Sequence, residues 1–497
     1  MTEEKKKRKN RDEHRQPLGT TLAFGLGAMT DQMSHQMFQF LIFIYFYSVI
    51  GIKIESLALG FFIFAVWDSI NDPIMGPISD RTKSKFGRRR VWILIITIPF
   101  ALVNFFLFFF PGLHTQPDWV KTTYFIVIIM LYDLFYTIFS TNQLALFPEM
   151  FKTEKERSRA NMWKNIMTII GVLIGFVMPT LFIGSEVAPT VILENLPQIF
   201  LDRARAELMP RYWITGGVVA ILVLIGGFMF FKFGMKEDPV ELTQKESDPG
   251  VFHSLKMTFK NKAFIIFILA NLFNWFVFKT LTTAIPLYGQ FVLGFQEGDF
   301  MLTIMLLTAF LSATAFFPLM RLLGNKIGMR NAFIVSEAIW IVALIPFTFL
   351  REGGAWLGLS HNTWAVIFMG VNGIGLSGAM FFVDVIMGNI IDEDEINNGV
   401  RREGAYYGIN ALINRYSTIF SIGAIALVFA GQGWATYIIN PSDIQGAALQ
   451  VGIRWLMIGF TIAGILIVIL LLSFFPLHGE RLKKVKEQIA AKQTVKN

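Results

Sequence analysis

The segment WDSINDPIMGPISDRTKSKFGRRR, residues 67–90, joins an apolar run that carries carboxylates to a strongly basic loop. Asp68, Asn71 and Asp72 lie well inside the run, and offsets of three and four residues place them on one face of a helix. Each acid near the centre of a membrane helix costs roughly 2.5–3.5 kcal/mol on insertion scales. The segment therefore predicts a membrane helix whose acids face a cation, a proton, a basic group of a neighbouring helix or a water-filled cavity.

The composition of the whole chain excludes an ordinary soluble protein. Of its 497 residues, 54% are hydrophobic, 51 are Phe and only 16% are charged. A bilayer-spanning helix takes about 20 predominantly apolar residues. Runs of this kind predict an all-α membrane protein with twelve transmembrane helices, near residues 20–50, 56–80, 91–111, 121–148, 160–183, 212–233, 264–292, 299–322, 332–350, 363–390, 405–430 and 452–475.

The basic residues predict how the chain is oriented. Of the 44 Lys and Arg, 35 lie in the tails and loops of one predicted side and seven on the other. By the positive-inside rule, both termini are expected on the cytoplasmic side of the cell membrane. The net charge of +8 is spread over loops and tails, so we expect membrane lipids and no nucleic acid as partners. The basic N-terminus lacks a small-residue cleavage site, so the first helix is expected to stay in the mature protein.

A polar, turn-rich segment at 236–250 divides the chain into two comparable halves. Each half has a basic, glycine-containing loop after its second helix, and such weak internal symmetry is typical of secondary transporters built from repeats. The connection 184–211 is interpreted as an external cap or an interfacial helix. The predicted divisions are a basic cytoplasmic N-tail at 1–19, six-helix bundles at 20–233 and 263–476, a cytoplasmic linker at 234–262 and a basic cytoplasmic C-tail at 477–497.

The first predicted helix carries a hydrophilic face in DQMSHQMFQ, residues 31–39. Asp31, His35 and Gln39 follow one another at intervals of four residues, and Gln32 lies beside them. Carboxylates and amides can hydrogen-bond the hydroxyls of a sugar, so these residues are candidates for solute binding. Alternatively, His35 only bonds a neighbouring helix.

The second half carries two basic residues inside predicted spans, Lys279 and Arg415. A buried ammonium needs a partner, and by analogy we expect Lys279 to pair with Asp384 of the tenth span. The guanidinium of Arg415 can bind a carboxylate or a phosphate through two parallel hydrogen bonds. An anionic solute is therefore an alternative to a neutral one.

The types of residue present favour transport over catalysis. Oxygen ligands suit a hard cation such as Na⁺, and two nearby carboxylates can instead share a proton. The sequence contains no cysteine, no H-E-x-x-H and no G-x-S-x-G, so we predict that the protein is not an enzyme and uses no cofactor. No metal is expected beyond a transported Na⁺. A receptor or scaffold would not need ion-ligating acids in the second helix.

Two segments resemble the glycoside-pentoside-hexuronide:cation symporters, the melibiose permease-like branch of the major facilitator superfamily. They are WDSINDPIMGPISDRTKSKFGRRRVWIL in the first half and IDEDEINNGVRREGAYYGINALINR, residues 391–415, in the second. The resemblance implies two pseudo-symmetric six-helix bundles, a monomer, and symport of Na⁺ or H⁺ with a sugar or related small polar solute by alternating access. Some animal relatives carry lipids, so a lysophospholipid-like amphiphile is the alternative solute.

The same resemblance implies roles for individual residues. It gives cation ligands at Asp68, Asn71, Asp72 and Thr137. Further positions are implied on the solute side: either Asp31 or Gln32 on the first helix, Ser140 where melibiose permease has a carboxylate, the amide of Asn410, and Arg415 in place of a family lysine. The loop resembles the major facilitator motif G-x-x-x-D-R followed by G-R-R, which implies gating roles for Gly76, Asp80, Arg81, Gly87, Arg88 and Arg89.

Within that loop motif, two residues have clear physical roles. Gly76 would permit close contact between helices, because it has no side chain to keep the backbones apart. Asp80 at a helix end can bind basic groups or the N-terminus of a facing helix. The arginines can also serve simply to hold the loop on the cytoplasmic side.

Overall fold

The computed structural model describes residues 16–82, 84–183, 198–236, 256–295, 300–429 and 447–496. The predicted all-α architecture is confirmed in these ranges. Two π-helical turns extend helices of the first half, Tyr45–Val49 after α1 and Phe230–Gly234 after α6. The helices of this half are α1 Leu18–Ile44, α2 Ile54–Arg81, α3 Arg90–Phe106, α4 Asp118–Met150, α5 Glu154–Ile183 and α6 Gln198–Met229.

The second half continues the helical pattern. A π-helical turn, Trp455–Phe460, joins α12 to α13, and these two form the last predicted span. A short antiparallel hairpin of β1 Ala355–Trp356 and β2 Leu359–Ser360 precedes α10. The helices are α7 Lys262–Phe291, α8 Phe300–Ile327, α9 Met329–Leu344, α10 His361–Asn398, α11 Glu403–Phe429, α12 Ala447–Arg454, α13 Thr461–Ser473 and α14 Gly479–Lys496.

Every predicted span coincides with a helical region. Among the described residues, eight helices are long and apolar enough to cross a membrane, and the apolar α3 is shorter. The chain forms two compact units: unit 1 comprises 1–255 with 402–409, and unit 2 comprises 256–401 with 410–497. The first two turns of α11 therefore belong to unit 1, although they lie late in the sequence. The first 15 residues, and 237–255 of the predicted linker, lie outside the described residues.

Two helices are longer than the apolar pattern predicts. In place of a separate cap, residues 198–211 form the first part of α6, because LDRARAEL is rich in good helix formers. The stretch 184–197 lies outside the described residues. Helix α10 continues through the acidic residues after position 390 and ends at Gly399, whose φ of 73° is the left-handed conformation typical of a helix C-terminus.

Helices α1 and α5 pack closely in unit 1 because α5 presents glycine to α1. A Cβ added to Gly171 would strike the carbonyl oxygen of Met29, and one added to Gly175 would lie 2.8 Å from the carbonyl oxygen of Met33. Small residues at such crossings let helix backbones approach in membranes. This packing fixes the position of the polar face of α1.

We expect Gly171→Ala to lower the melting temperature of the purified protein, because the new methyl group meets backbone that cannot move aside. Overpacking of this kind costs about 1–3 kcal/mol. The matched control is Gly423→Ala in α11, where a Cβ would meet no atom within 4 Å. That control should be neutral or stabilising, since alanine favours helix by about 1 kcal/mol over glycine. Equal melting temperatures for the two variants would contradict the packing described here.

Candidate functional site

One face of α4 carries the polar residues of the candidate site in unit 1. Asp133, Tyr136, Thr137 and Ser140 follow at intervals of three and four residues and therefore share that face. We call these four residues the α4 polar face. Asp133 is 2% exposed and Thr137 is 1% exposed, although both lie in an apolar helix. The face extends over about 10 Å, at 1.5 Å per residue.

Helix α2 contacts the α4 polar face through an amide. Asn71 Nδ2 donates a hydrogen bond to Asp133 Oδ2 at 3.1 Å. Asp68, one turn earlier on the same face of α2, is 4% exposed. Asp72 lies in α2, but its side chain is outside the described part. The structure thus brings the predicted ligand Asn71 onto the face that carries the predicted ligand Thr137.

Helix α1 contacts the other end of the α4 polar face. Asp31 is 5% exposed, and its Oδ2 accepts a hydrogen bond from Gln32 Nε2 at 2.8 Å. The hydroxyl groups of Ser140 and Tyr136 also interact with this carboxylate, and Lys164 on α5 attracts it electrostatically. The two candidates on the first helix, Asp31 and Gln32, are therefore joined by a hydrogen bond.

His35 is engaged within the protein. Its Nε2 lies 2.8 Å from Gln39 Nε2 on the next turn of α1, and its ring stacks on Tyr136 with centroids 4.9 Å apart. The histidine thus supports the junction of α1 and α4. This hydrogen-bond contact therefore lies within α1, and the ring stacking reaches a neighbouring helix.

Two parts of the unit 1 site were not predicted from the sequence. Lys164 was not predicted as a site residue, yet it is buried in α5. Its position four residues inside the predicted fifth span was the available signal. A buried hydroxyl pair also supports the site: Ser34 donates to Asn104 Oδ1 at 2.8 Å and lies 3.0 Å from the Tyr132 hydroxyl.

Unit 2 contributes a cluster of buried amides. Asn271 Nδ2 donates to Asn410 Oδ1 at 2.7 Å and to Asn414 Oδ1 at 3.4 Å. Asn274 donates to the Ala379 carbonyl at 3.2 Å. Asn410 was a predicted solute residue, whereas Asn271 and Asn274 were missed. Their spacing of three residues within an apolar run was the available signal.

The basic residues of unit 2 are arranged differently from the prediction. Lys279 Nζ donates to the Asn414 carbonyl at 3.2 Å and to the Thr418 hydroxyl, rather than to Asp384. Neutral oxygens satisfy the ammonium without the desolvation of a second charged group. Asp384 is half-buried on α10, and Arg415 is half-buried on α11.

The loop between α2 and α3 forms a charge cluster with acids from α4 and α11. Arg89 Nη2 lies 2.5 Å from Asp80 Oδ1 and 3.0 Å from Glu403 Oε2. Arg89 Nη1 also contacts Glu149. Arg88 Nη2 lies 3.1 Å from Glu149 Oε2 and 3.2 Å from Glu403 Oε2. We call these five residues the loop charge cluster.

Asp80 also binds the beginning of α11. Its Oδ1 accepts from the Gly404 N–H at 3.2 Å, and its Oδ2 accepts from the Ala405 N–H at 3.3 Å. A carboxylate is stabilised at a helix N-terminus, where the first N–H groups have no partner within the helix. Gly76 makes this approach possible, because a Cβ there would strike the Gly404 carbonyl oxygen. Gly87 turns the loop with a φ of 100°, which favours glycine.

Comparison with known proteins identifies the family. The family model described as MFS/sugar transport protein matches residues 23–479, nearly the whole chain. The chain belongs to this family. It is therefore a multi-pass membrane transporter of the major facilitator superfamily and not an enzyme, and the predicted kinship with the glycoside-pentoside-hexuronide symporters is confirmed.

Individual relatives agree with this assignment. An uncharacterized symporter of Synechocystis is 24% identical over 95% of this chain and 97% of its own. The sodium-dependent lysophosphatidylcholine symporter 1 of Gallus gallus is 22% identical over 97% of this chain and 91% of its own. The isoprimeverose transporter of Lactiplantibacillus pentosus is 19% identical over 90% of this chain and 88% of its own. The crystal structure of the MFS transporter FucP in its outward conformation aligns with a TM-score of 0.63 at 12% identity. The alignment covers 92% of this chain and 99% of FucP, and it shows the shared fold.

In a major facilitator protein, the loop charge cluster is placed to hold the start of α11 against α2. Burial alone would lower the pKa of Arg88, but the surrounding carboxylates raise it above its ordinary value. The pKa of Arg89 is raised by the same acids against the effects of burial and of its cationic neighbour. Both guanidinium groups therefore stay charged. Arg81, the last residue of α2, is half-buried beside the loop.

We expect Arg89→Gln to cost about 3–5 kcal/mol of stability, because it leaves three acids with one arginine. Asp80→Asn should cost less, because two acids then face two arginines. The double variant should lose less than the sum of the two single losses, since Asp80 and Arg89 are partners and removing both restores the net charge of the unchanged cluster. Melting temperatures in detergent measure this coupling. Lys85→Gln, an exposed position of the same loop, is the control and should change little. Strictly additive losses would contradict a shared cluster.

Proposed function

We propose that this transporter couples the movement of a sugar or related small polar solute to Na⁺ or H⁺. The observation that carries the proposal is the set of carboxylates buried among the apolar helices of unit 1. Asp31, Asp68 and Asp133 are each at most 5% exposed. Charged groups at such positions are costly and mark ion and solute pathways in membrane proteins.

The cation site is proposed where α2 meets the α4 polar face. Asn71 turns its Nδ2 toward Asp133, so its amide oxygen is the atom left to bind a cation. Thr137 adds a hydroxyl oxygen one turn from Asp133, and the predicted ligands Asp68 and Asp72 add carboxylates by their spacing on α2. Oxygen ligands of this kind suit Na⁺, and paired carboxylates can alternatively share a proton.

The solute site is proposed beside it, at Asp31, Gln32 and Ser140. A carboxylate, an amide and a hydroxyl are groups that hydrogen-bond sugar hydroxyls. The family description and the isoprimeverose transporter support a sugar or sugar-like solute. Ser140 replaces the carboxylate of melibiose permease, so we propose a solute other than a galactoside.

Charge neutrality explains the coupling. With the acids ionised and no cation bound, repulsion and desolvation disfavour a closed, water-free site. A bound Na⁺ or a proton removes this penalty, so the loaded protein changes conformation more readily than the half-loaded one. We propose that this difference makes the transport of solute and cation obligatorily linked. We further propose that the protein lies in the cell membrane with both termini on the cytoplasmic side.

We expect the double variant Asp68→Asn, Asp72→Asn to lose cation-driven accumulation while downhill solute exchange persists. The reason is that neutral amides no longer need a cation for the site to close. The measurement is uptake of radiolabelled mono- and disaccharides by proteoliposomes under imposed Na⁺ or H⁺ gradients. Glu55→Gln, an exposed acid in the first turn of α2, is the control. If the double variant still concentrates a sugar against its gradient, the proposal fails.

We expect Asp133→Asn to weaken the apparent affinity for the cation roughly tenfold or more, because it removes a charged oxygen beside Asn71. Thr137→Ala removes only a neutral oxygen and should have a smaller effect. Cation dependence of sugar uptake measures both, with Thr122→Ala near the beginning of α4 as the control. A larger effect for Thr137→Ala than for Asp133→Asn would contradict this assignment.

A lysophospholipid-like amphiphile is the second candidate solute, supported by the lysophosphatidylcholine symporter of Gallus gallus. Half-buried Arg415 on α11 could bind the phosphate of such a molecule or of another anionic solute. The same proteoliposomes separate the candidates. Uptake of radiolabelled lysophosphatidylcholine that sugars fail to inhibit would favour the amphiphile.

A further inference from the structure

Helix α9 of unit 2 carries a carboxyl group that the proposed cation site does not use. Glu337 lies in the middle of this helix and is completely buried, with an exposed fraction of 0%. Within the part of the chain that the structure describes, neither of its carboxyl oxygens has a hydrogen-bond partner. Ionisable residues buried in membrane helices are costly and mark ion or proton pathways. The protonation state of Glu337 therefore decides what it can do.

No positive charge among the described residues compensates Glu337. Helix α9 packs against α8, α10 and α13, all in unit 2. Helix α13 has no charged residue, and the titratable residues of the other two are Arg321 and Lys326 on α8, and His361, Asp384, Asp392, Glu393, Asp394 and Glu395 on α10. None of these groups, nor Arg330 at the start of α9, acts electrostatically on Glu337. A lone ion in an apolar interior is so costly that the group holds a proton instead.

The next turn of α9 contains a matching hydrogen-bond donor. Trp340 lies three residues after Glu337, a spacing that makes two side chains neighbours on a helix surface. Its indole N–H is also buried, and among the described residues it has no hydrogen-bond partner. The two groups are therefore not bonded to each other in this conformation. Because hydrogen bonds to an ionised acceptor are about twice as strong as neutral ones, ionisation of Glu337 would draw the indole N–H toward it.

Trp340 is also part of the contact between α9 and α10. A Cβ added to Gly375 would strike the Trp340 side chain, and one added to Gly378 would strike the hydroxyl of Ser336. The two helices therefore cross closely because α10 presents glycine there. A cavity of about 30 Å³ lies beside the indole and is lined by Leu344 among others. The indole thus has space to shift, and a shift toward Glu337 would loosen its contact with Gly375.

We propose that Glu337 is a proton-binding site in unit 2, separate from the cation site proposed in unit 1. A single carboxyl group suffices for a proton, whereas hard metal cations take several oxygen ligands. In the conformation described here the acid holds its proton and Trp340 packs on Gly375. When the O–H bond breaks, the proton passes to water that enters as the crossing of α9 and α10 loosens, and the carboxylate accepts from the Trp340 N–H. Proton release is thus linked to the packing of unit 2, whichever cation unit 1 takes.

Infrared difference spectra of the purified full-length protein test for the proton directly. The carbonyl stretch of a protonated carboxylic acid should be present at neutral pH, and the part due to Glu337 should disappear in Glu337→Gln. Glu337→Met, an apolar side chain of similar length, serves the same subtraction if the first variant does not fold. Glu352→Gln, at an exposed acid soon after α9, is the matched control and should leave the band unchanged. If neither Glu337 variant loses a protonated-acid band, Glu337 is ionised and the proposal is overturned.

Thiol labelling tests the link to helix packing. The chain contains no cysteine, so Ser336→Cys introduces a single buried thiol where α9 crosses α10. Its labelling rate is divided by the rate in the Glu337→Gln background, which cancels the ionisation of the thiol itself. This ratio should rise with pH, by up to tenfold per pH unit for the release of one proton. Trp340→Phe lacks the indole N–H and should remove most of the rise.

A ratio that stays constant across the pH range would overturn the proposed link between Glu337 and the helix crossing. Asp68→Asn should leave both the infrared band and the labelling ratio unchanged, because Asp68 lies in unit 1. Neither measurement uses a transported solute. Failure of the proposed cation site is therefore distinguishable from failure of the proton site at Glu337.

Discussion

Buried negative charge constrains unit 1 more than any other feature. Asp31, Asp68 and Asp133 lie among helices whose surfaces are otherwise suited to lipid, and such acids are costly without compensation. The structure meets part of the cost with hydrogen bonds from Asn71 and Gln32 and with the nearby ammonium of Lys164. We propose that a transported cation meets the remainder. Solute and cation are then linked through one electrostatic requirement.

The loop charge cluster solves the same problem differently. Its three acids are paired with two arginines inside the protein. Asp80 adds a directional contact, because both carboxylate oxygens accept from the first N–H groups of α11. That contact explains why residues 402–409 belong to unit 1 while the rest of α11 belongs to unit 2. Helix α11 therefore carries Asn410 of unit 2 and, at its beginning, the contact with Asp80 within unit 1.

Much of this organisation could be predicted from the sequence, for identifiable reasons. Apolar runs mark spans strongly, and i, i+3, i+4 spacing placed Asp68, Asn71 and Asp72 on one face because a helix has a fixed geometry. The sequence could not show which helix faces which. It therefore missed the Asn271 amide, the acids Glu149 and Glu403 around Arg89, and the contact of Lys279 with the Asn414 carbonyl in place of Asp384. Lys164 was missed because it lies only four residues inside the predicted fifth span, next to the basic loop that precedes it.

Direct cation binding to the purified protein tests the central claim most directly. Retention of ²²Na⁺ is measured across a range of pH, together with proton uptake in the absence of Na⁺. The account predicts one saturable cation site in which Na⁺ and H⁺ compete, or a saturable proton site alone if H⁺ is the coupling ion. The account is contradicted if the protein shows no saturable Na⁺ binding and also no proton uptake that depends on Asp68 and Asp133.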